Sequence, residues 1–439
     1  MEEVKFIGYI SNLFRTSEEP NIDDDEPRTV ITIDGYLHND LTNHTNAPLI
    51  RLELFGYSHY YHLTSEMDLD DWSNTPIAFY LTLTDKEDSD AGIFNYYQSV
   101  LETYRYMKIL NIEILEAKSN ELNILNKQKE RLYDSVSEKI KKSLYKLKIK
   151  HSHYIRNKKL NLITEPVGQG AMSRLITGDG FTKGLFDVGH GTPIRKEEIT
   201  KNKYKFSDDL SKTEVIFLSH WDEDHFQLAT HEKFSYLLEL YWYFPFSLDI
   251  IVNNDIDLAF AYEPRLLVWE TILKIVKNNK FMIINHETRG QITLGANKAI
   301  QYSCGKKEYD SNNRGIVYIL SEKQNKICKR ILIPGDADYT INKEWFRLKY
   351  TSIIASHHGS KYLSSLELPL PDSKESKLAI SFGFNDQFKH PSTIVIVSAL
   401  LQGYKVEYTS CPYWKYIPNY KNNKLNIYNH NAFQIKHFE

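Results

Sequence analysis

The sequence predicts a layered α/β protein with a β-rich amino-terminal part, and three observations carry that expectation. From about residue 160, strand-like apolar runs alternate with turns and helical patterns, among them Leu258 to Lys277. Such alternation is the mark of an α/β layered domain. Glycines crowd the start of that region: Gly168, Gly170, Gly178, Gly180, Gly184, Gly189 and Gly191. Before residue 90 the texture differs, with short apolar segments rich in Ile, Tyr, Leu and Thr separated by polar loops.

Those early segments, Val4 to Ile10, Thr29 to Tyr36, Leu49 to Phe55 and Ile77 to Thr84, read as strands of a small antiparallel sheet. Acidic loops fall at Asn21 to Glu26 and Asp85 to Asp90. His59, Tyr60, Tyr61 and His62 cluster in a way more typical of packing than of chemistry. Residues 92 to about 159 read as helical. Leu125, Leu132, Val136, Ile140, Leu144 and Leu147 recur at steps of three, four or seven and form one apolar stripe. Ser119 or Asn120 caps its start, with Glu121 in the first turn. The other faces carry Lys139, Lys141, Lys142, Lys146, Lys148, Lys150, Arg156, Lys158 and Lys159. This reads first as a solvated face and linker, and second as a strip for nucleic acid or a partner. The chain thus divides into a β-rich part (1–90), a basic helical segment (91–159) and an α/β part (160–439).

At 439 residues the chain is long enough for two or three domains. Its 41% hydrophobic and 25% charged residues are those of a globular protein. A net charge of −3 argues against polyanion binding by bulk charge, so any such binding needs a local patch. Cys304, Cys328 and Cys411 are too widely spaced for a disulfide framework or zinc ribbon. The opening Met1-Glu2-Glu3-Val4-Lys5 lacks the basic and apolar regions of a signal peptide. The richest apolar stretch, Tyr236 to Ile251, is broken by Glu239, Pro245 and Asp249, which argues against a membrane span. A cytoplasmic, reducing location is the expectation.

The chemistry concentrates in Leu218-Ser219-His220-Trp221-Asp222-Glu223-Asp224-His225, directly after the apolar run Val215 to Leu218. A short apolar run reads as a buried strand, and the turn after it can swing several side chains onto one point. A lone histidine at a strand end is usually a satisfied core or surface residue. Two imidazoles and two carboxylates within six residues are far harder to ascribe to chance, and these groups ligate zinc, manganese or iron. Further strand-like runs end in ligand-type residues: Leu185 to Phe186 before Asp187-Val188-Gly189, Ile331 to Ile333 before Gly335-Asp336, and Ile353 to Ala355 before His357-His358. Leu378 to Phe382 is followed at a distance by His390-Pro391. Ligands at the ends of neighbouring strands are how a layered fold builds a site.

With these residues in place the chain resembles the metallo-β-lactamase-fold hydrolases. His220-x-Asp222-x-Asp224-His225 resembles their His-x-His-x-Asp-His signature. Within that superfamily the pattern is most similar to the soluble hydrolase domain of the ComEC family of DNA-uptake competence proteins. The shared motifs are Val167-Gly168-Gln169-Gly170, Asn313, Gly335-Asp336-Ala337, His357-His358-Gly359-Ser360, Gly383 with Asn385, and His390-Pro391. The resemblance covers about residues 160 to 412. It implies a four-layer αββα metallo-β-lactamase fold over about 160–439, preceded by an amino-terminal small β-sheet and helical domain.

The resemblance also implies two divalent ions bridged by Asp336, with His220 and Asp222 on one ion and Asp224, His225 and His390 on the other. Asp187 takes a supporting place. The second signature histidine is Asp222 here, and a harder oxygen ligand moves preference from zinc towards manganese. No third-motif histidine precedes Asp336. His286 and Cys304 lie in that interval and read as structural, leaving the first ion position weaker or filled by His357 or His358. Asp224 and His358 are expected to act catalytically, His358 by donating a proton or binding phosphate. Ser360, Lys361 and Asn385 are expected to grip substrate, although the same residues also read as turn and surface positions. The expected activity is a phosphodiesterase, most readily a nuclease acting on DNA or RNA, with a small-molecule metallohydrolase as the alternative. The membrane channel of the uptake proteins is missing, so DNA import is not expected. The amino-terminal region is expected to bind a protein partner or a second copy, an architecture that suits a toxin or anti-phage effector.

Overall fold

The computed structural model describes residues 3–14, 30–43, 47–55, 76–85, 89–95, 105–116, 118–144, 160–165, 167, 170–178, 180–189, 210–295, 297–306, 309–324, 327–360, 367–381, 391–409 and 433–435. The first six strands are β1 (Glu3–Phe14), β2 (Val30–Leu37), β3 (Ile50–Phe55), β4 (Pro76–Leu83), β5 (Ala91–Asn95) and β6 (Arg105–Ile114). They close an antiparallel barrel in the order β1-β2-β3-β5-β6-β4. The four expected strands are present. Residues 92 to 114, expected to be helical, instead supply β5 and β6. Met, Leu, Lys and Glu in Arg105–Ile114 favour helix locally, but pairing along both β4 and β5 overrides that preference.

Alternation sorts the barrel side chains. Phe6, Ile10, Ile31, Ile33, Leu52, Leu54, Phe79 and Leu81 fill the interior. Ile7, Tyr9, Tyr36 and Ala78 point the other way and join a core shared with the helices. The helix Asn120–Leu144 follows. Ser119 Oγ accepts from Leu122 N at 3.2 Å, the capping contact expected of it. Leu125, Leu132, Tyr133, Val136 and Ile140 are buried against helix Leu266–Lys277 and the barrel, so this helix is core rather than linker. Its outer face is mixed, with Lys142 paired to Glu138 and Lys141 donating to Asn254. Leu147, the lysines beyond 144 and the His59–His62 cluster lie outside the described residues.

Two sheets form the rest. The first holds β7 (Leu160–Thr164), β8 (Ser173–Thr177), β9 (Thr182–Phe186), β10 (Val215–Phe217), β11 (Tyr241–Pro245) and β12 (Phe281–Ile284). The second begins with β13 (Arg289–Gly295), β14 (Lys298–Cys304), β15 (Ile316–Gln324) and β16 (Ile327–Ile333). A short pair, β17 (Lys349–Tyr350) and β19 (Leu370–Pro371), brackets β18 (Ser352–Ile354). The second sheet continues through β18 to β20 (Lys377–Ile380) and β21 (Lys405–Tyr408), and β22 (Phe433–Ile435) returns to flank β7. Phe186, Val215, Phe217 and Tyr243 face Ile300, Ile316, Tyr318 and Ile331 between the sheets. Ile216 and Trp242 face outward onto helix Leu266–Lys277. Val317, Ile319 and Leu332 back onto helix Thr393–Gln402. This is a four-layer αββα sandwich, the architecture expected for this part of the chain. The helical pattern expected over Leu258 to Lys277 is two helices, Ile256–Tyr262 and Leu266–Lys277, because Pro264 cannot continue the first. Among the described residues no helix is long and apolar enough to cross a membrane.

Candidate metal centre

β9, β10, β11 and β12 run parallel, as do β16, β18, β20 and β21. The segments that follow β9, β10, β16, β18 and β20 therefore gather at one rim of the sandwich, the edge where parallel sheets build ligand sites. The turn after β10 is pinned from several sides. Leu218 N donates to Tyr243 O at 2.8 Å, Ile316 N donates to Ser219 O at 2.7 Å, and Trp221 Nε1 donates to Pro245 O at 2.9 Å.

Asp187, which follows β9, is bonded to both Ser219 and His225. Its Oδ1 accepts from Ser219 N at 2.7 Å and its Oδ2 from Ser219 Oγ at 2.9 Å. Oδ2 also lies 2.9 Å from His225 Nδ1. Gly189 lets three segments meet, since a Cβ there would stand 1.6 Å from Asp224 O. Ala171 N donates to that same oxygen at 2.8 Å, and Val188 N donates to His225 O at 2.7 Å. Gly335 has φ +59°, and a Cβ on it would lie 2.5 Å from Ser219. Asn313 braces the far side of the Asp336 turn, its Oδ1 accepting from Asp338 N at 2.9 Å.

Around this frame the ligand-type atoms form two adjoining groups. In the first, Asp224, His225, Asp336 and His358 each offer an atom within 4.8 Å of the others. His358 Nε2 is 3.2 Å from Asp224 Oδ2, and His225 Nε2 is 3.1 Å from Asp336 Oδ1. In the second, His220 Nε2 is 3.4 Å from Asp222 Oδ2 and 3.8 Å from Asp336 Oδ2, and His357 Nε2 is 3.7 Å from the same oxygen. Asp336 belongs to both groups, one oxygen to each. His357 and His358 stand in consecutive left-handed conformations, φ +46° and +53°.

The donor chemistry fits cations. His220 Nε2 and His225 Nε2 are buried without a hydrogen-bond partner. A buried polar atom in that state is costly unless something else fills its place. On the opposite side of each ring, Nδ1 is engaged: His225 by Asp187, His358 by Ser381 O at 3.0 Å, and His220 by Ser219 Oγ at 3.0 Å. This is how metal-binding imidazoles are oriented, Nδ1 held and Nε2 presented.

Charge tells the same story. Burial disfavours charge on His225, but the carboxylates of Asp336, Asp224 and Asp187 outweigh it and hold its pKa well above the usual imidazole value. His358 is raised too: burial opposes charge there, and the Asp224 hydrogen bond and the field of Asp336 overcome it. Burial would raise Asp336, yet His225, His357 and His220 hold it well below the ordinary carboxylate range. In effect protons on the imidazoles balance carboxylates that a cation would otherwise neutralise.

His358, expected as a proton donor, as a phosphate contact or as one of two histidines that could fill an ion position, lies beside Asp224, His225 and Asp336. Ser360 has no exposed surface, and its N–H closes the turn onto His357 O at 2.9 Å. His286 and Cys304 are structural as expected. His286 Nε2 lies 2.6 Å from Tyr262 Oη, and its Nδ1 lies 3.6 Å from Cys304 Sγ. Burial pushes the Cys304 thiol up to about 12. His390, Lys361, Asn385, Gly383, Gly168 and Gln169 lie outside the described residues. One residue was not foreseen: Arg265 Nη1 donates to Asp222 Oδ1 at 2.9 Å, while Glu263 grips the same guanidinium at 2.7 and 2.8 Å. Burial acts to raise Asp222, and His220 and Arg265 outweigh it and hold its carboxyl low.

No family model matches the chain, and no curated protein matches it by sequence. Among solved structures it is similar to the short form of human tRNase Z, at 14% identity over 44% of this chain and 77% of that one, with a TM-score of 0.26. It is also similar to Zn2+-bound PqqB from Methylobacterium extorquens (8% identity, 51% and 81% covered, TM-score 0.28). A third similarity is to the Rm3 metallo-β-lactamase (12% identity, 47% and 81% covered, TM-score 0.26). At these identities and scores none of the three assigns a metal or a substrate to this chain.

Proposed function

We propose that the protein is a metal-dependent hydrolase that takes two divalent ions and cleaves phosphodiester bonds, with DNA or RNA as substrate. The observation that carries this reading is the sharing of Asp336 between two groups of two imidazoles and two carboxylates. His220, Asp222, Asp336 and His357 would hold one ion, and Asp224, His225, Asp336 and His358 the other. When bound, such ions lower the pKa of a water from about 15.7 to about 7 and neutralise charge on a phosphoryl oxygen.

The chain's own contribution is orientation and charge. Asp187 and Ser219 fix the His225 ring, the Ser381 carbonyl fixes His358, and Arg265 fixes Asp222. Without cations, the carboxylates of Asp222, Asp224 and Asp336 would repel a phosphodiester, so the site needs positive charge before it can receive an anion. Nitrogen and oxygen donors in equal number suit manganese, zinc or iron, and the carboxylate at position 222 favours manganese over the all-imidazole alternative. The sequence motifs shared with the competence-protein hydrolases support a polynucleotide substrate.

Elemental analysis of the purified protein, followed by incubation with single- and double-stranded DNA and RNA under Mn2+, Mg2+ and Zn2+, tests the proposal. Cleavage is expected in the wild type and lost in Asp224→Ala and Asp336→Ala. Intact cleavage in both variants rejects it. Uncut polynucleotides beside turnover of a small phosphodiester would move the substrate to the small-molecule class.

A further inference from the structure

We propose that Arg51, on the barrel, is a positioning residue of the metal centre, acting through Glu223. The proposal rests on the reading of the site as a metal centre, not on the identity of its substrate. Strand alternation places Ile50, Leu52 and Leu54 inside the barrel and turns Arg51 outward. Outward here means into the molecule, for Arg51 is only 2% exposed. Its guanidinium is held from two sides. Nε donates to Asp34 Oδ1 at 3.0 Å and Nη2 to Asp34 Oδ2 at 3.1 Å. Nη1 donates to Glu223 Oε2 at 2.8 Å and Nη2 to Glu223 Oε1 at 2.5 Å. Ser11 Oγ takes a further bond from Nη2 at 3.2 Å.

Glu223 stands between Asp222 and Asp224 in the chain, within the short helix Glu223–Phe226. The three successive carboxylates thus have three separate partners: Asp222 has Arg265, Glu223 has Arg51, and Asp224 has His358. Holding the middle one by both oxygens fixes the turn that aims its two neighbours. If the contact were only glue between barrel and sandwich, apolar residues would serve as well, because a buried ion pair is seldom better than a packed apolar pair. What a doubly bidentate guanidinium adds is fixed direction.

The test uses the full chain with Co2+ as a spectroscopic probe. Arg51→Met, Arg51→Lys, Glu223→Gln and the double variant Arg51→Met/Glu223→Met are compared with Ile33→Val, a barrel-interior control. Arg51→Met is expected to bind Co2+ about 10- to 100-fold more weakly, the loss seen when ligand-orienting partners are removed, with an altered visible spectrum. Arg51→Lys should recover part of the affinity, and Ile33→Val should leave affinity and spectrum unchanged. The double variant removes the Arg51–Glu223 pair but leaves the Asp34 carboxylate without the Arg51 guanidinium, so it is expected to regain only part of the thermal stability, without regaining affinity. If Arg51→Met alone does not fold, the double variant and Glu223→Gln carry the comparison. Wild-type affinity and spectrum in a folded Arg51→Met, Glu223→Gln or double variant overturns the proposal. A wild-type chain that takes up no Co2+ overturns the metal-centre reading and this proposal together.

Discussion

Replacing Asp187 with Asn should disable one half of the metal centre without disturbing the backbone around it. Asp187 sits at φ +57°, a left-handed conformation that Asn tolerates nearly as well as Asp. The side chains are nearly the same shape, so the change is one of hydrogen-bond polarity. The Asn oxygen can still accept from Ser219 N. Its NH2 must then take the place of Oδ2, which now accepts from Ser219 Oγ and faces His225 Nδ1 at 2.9 Å. An NH2 there turns Nδ1 into an acceptor and drives the ring proton to Nε2, the atom that faces Asp336. A protonated Nε2 cannot ligate. The bond lost is one between an imidazole and a charged group, worth about 1.5–3 kcal/mol, or about 10- to 150-fold in an equilibrium constant. Calorimetric titration with Mn2+ or Zn2+ should therefore show one ion weakened by that factor. Nitrogen-15 spectra of labelled imidazoles, recorded above the pH at which His225 gives up its second proton, should show the ring moving from the Nδ1–H to the Nε2–H form. Unchanged affinity for both ions with His225 still carrying its proton on Nδ1 would refute the reasoning.

Three other outcomes follow from the packing and the charges. In the metal-free chain the raised pKa values of His225 and His358 contribute stability that is fully present below about 6.5, the unfolded value. That stability is lost as pH rises through the raised folded values. Denaturant midpoints measured with a chelator should fall as pH rises above about 6.5 while ion affinity climbs, since each bound ion must displace those protons; a midpoint that rises with pH there contradicts the assignment. Gly189→Ala should lose ion binding even where it folds, because its methyl group cannot share space with the Asp224 carbonyl, and a crystal structure with the 222–225 turn unmoved would show otherwise. Leu125→Ala, fully buried between the long helix and its neighbours, should cost about 2–5 kcal/mol in denaturant unfolding, whereas a solvated linker helix would lose well under 1 kcal/mol.

The sequence made the ligands legible but not the hands that hold them. His220, Asp222, Asp224 and His225 could be read because four donors fell within six residues behind an apolar strand. Asp336, His357 and Asp187 could be read because each follows another such strand. Arg265 and Arg51 could not. They lie 43 residues from Asp222 and 172 from Glu223, and no local pattern marks an arginine whose partner comes from another layer. His357 and His358 could be read only as alternatives for one ion position, since adjacent histidines look alike until the turn aims one ring at each side of Asp336. The barrel was half legible for a related reason. β1 to β4 alternate clearly, while Arg105–Ile114 mixes helix formers (Met107, Lys108, Leu110, Glu113) with strand formers (Tyr106, Ile109, Ile112, Ile114), and the edges of β4 and β5 decide it.

The turn at His357-His358-Gly359 sets folding against function. Left-handed backbone costs a branched or bulky residue roughly 1–2 kcal/mol, and glycine almost nothing. Here two histidines in a row hold it, with the glycine only third. A chain selected for stability alone would drift to glycine at 357 or 358, gaining robustness as it shed an imidazole. Laboratory evolution for heat resistance, run without a screen for ion uptake, should therefore erode this corner early and yield sturdier proteins with an emptied centre.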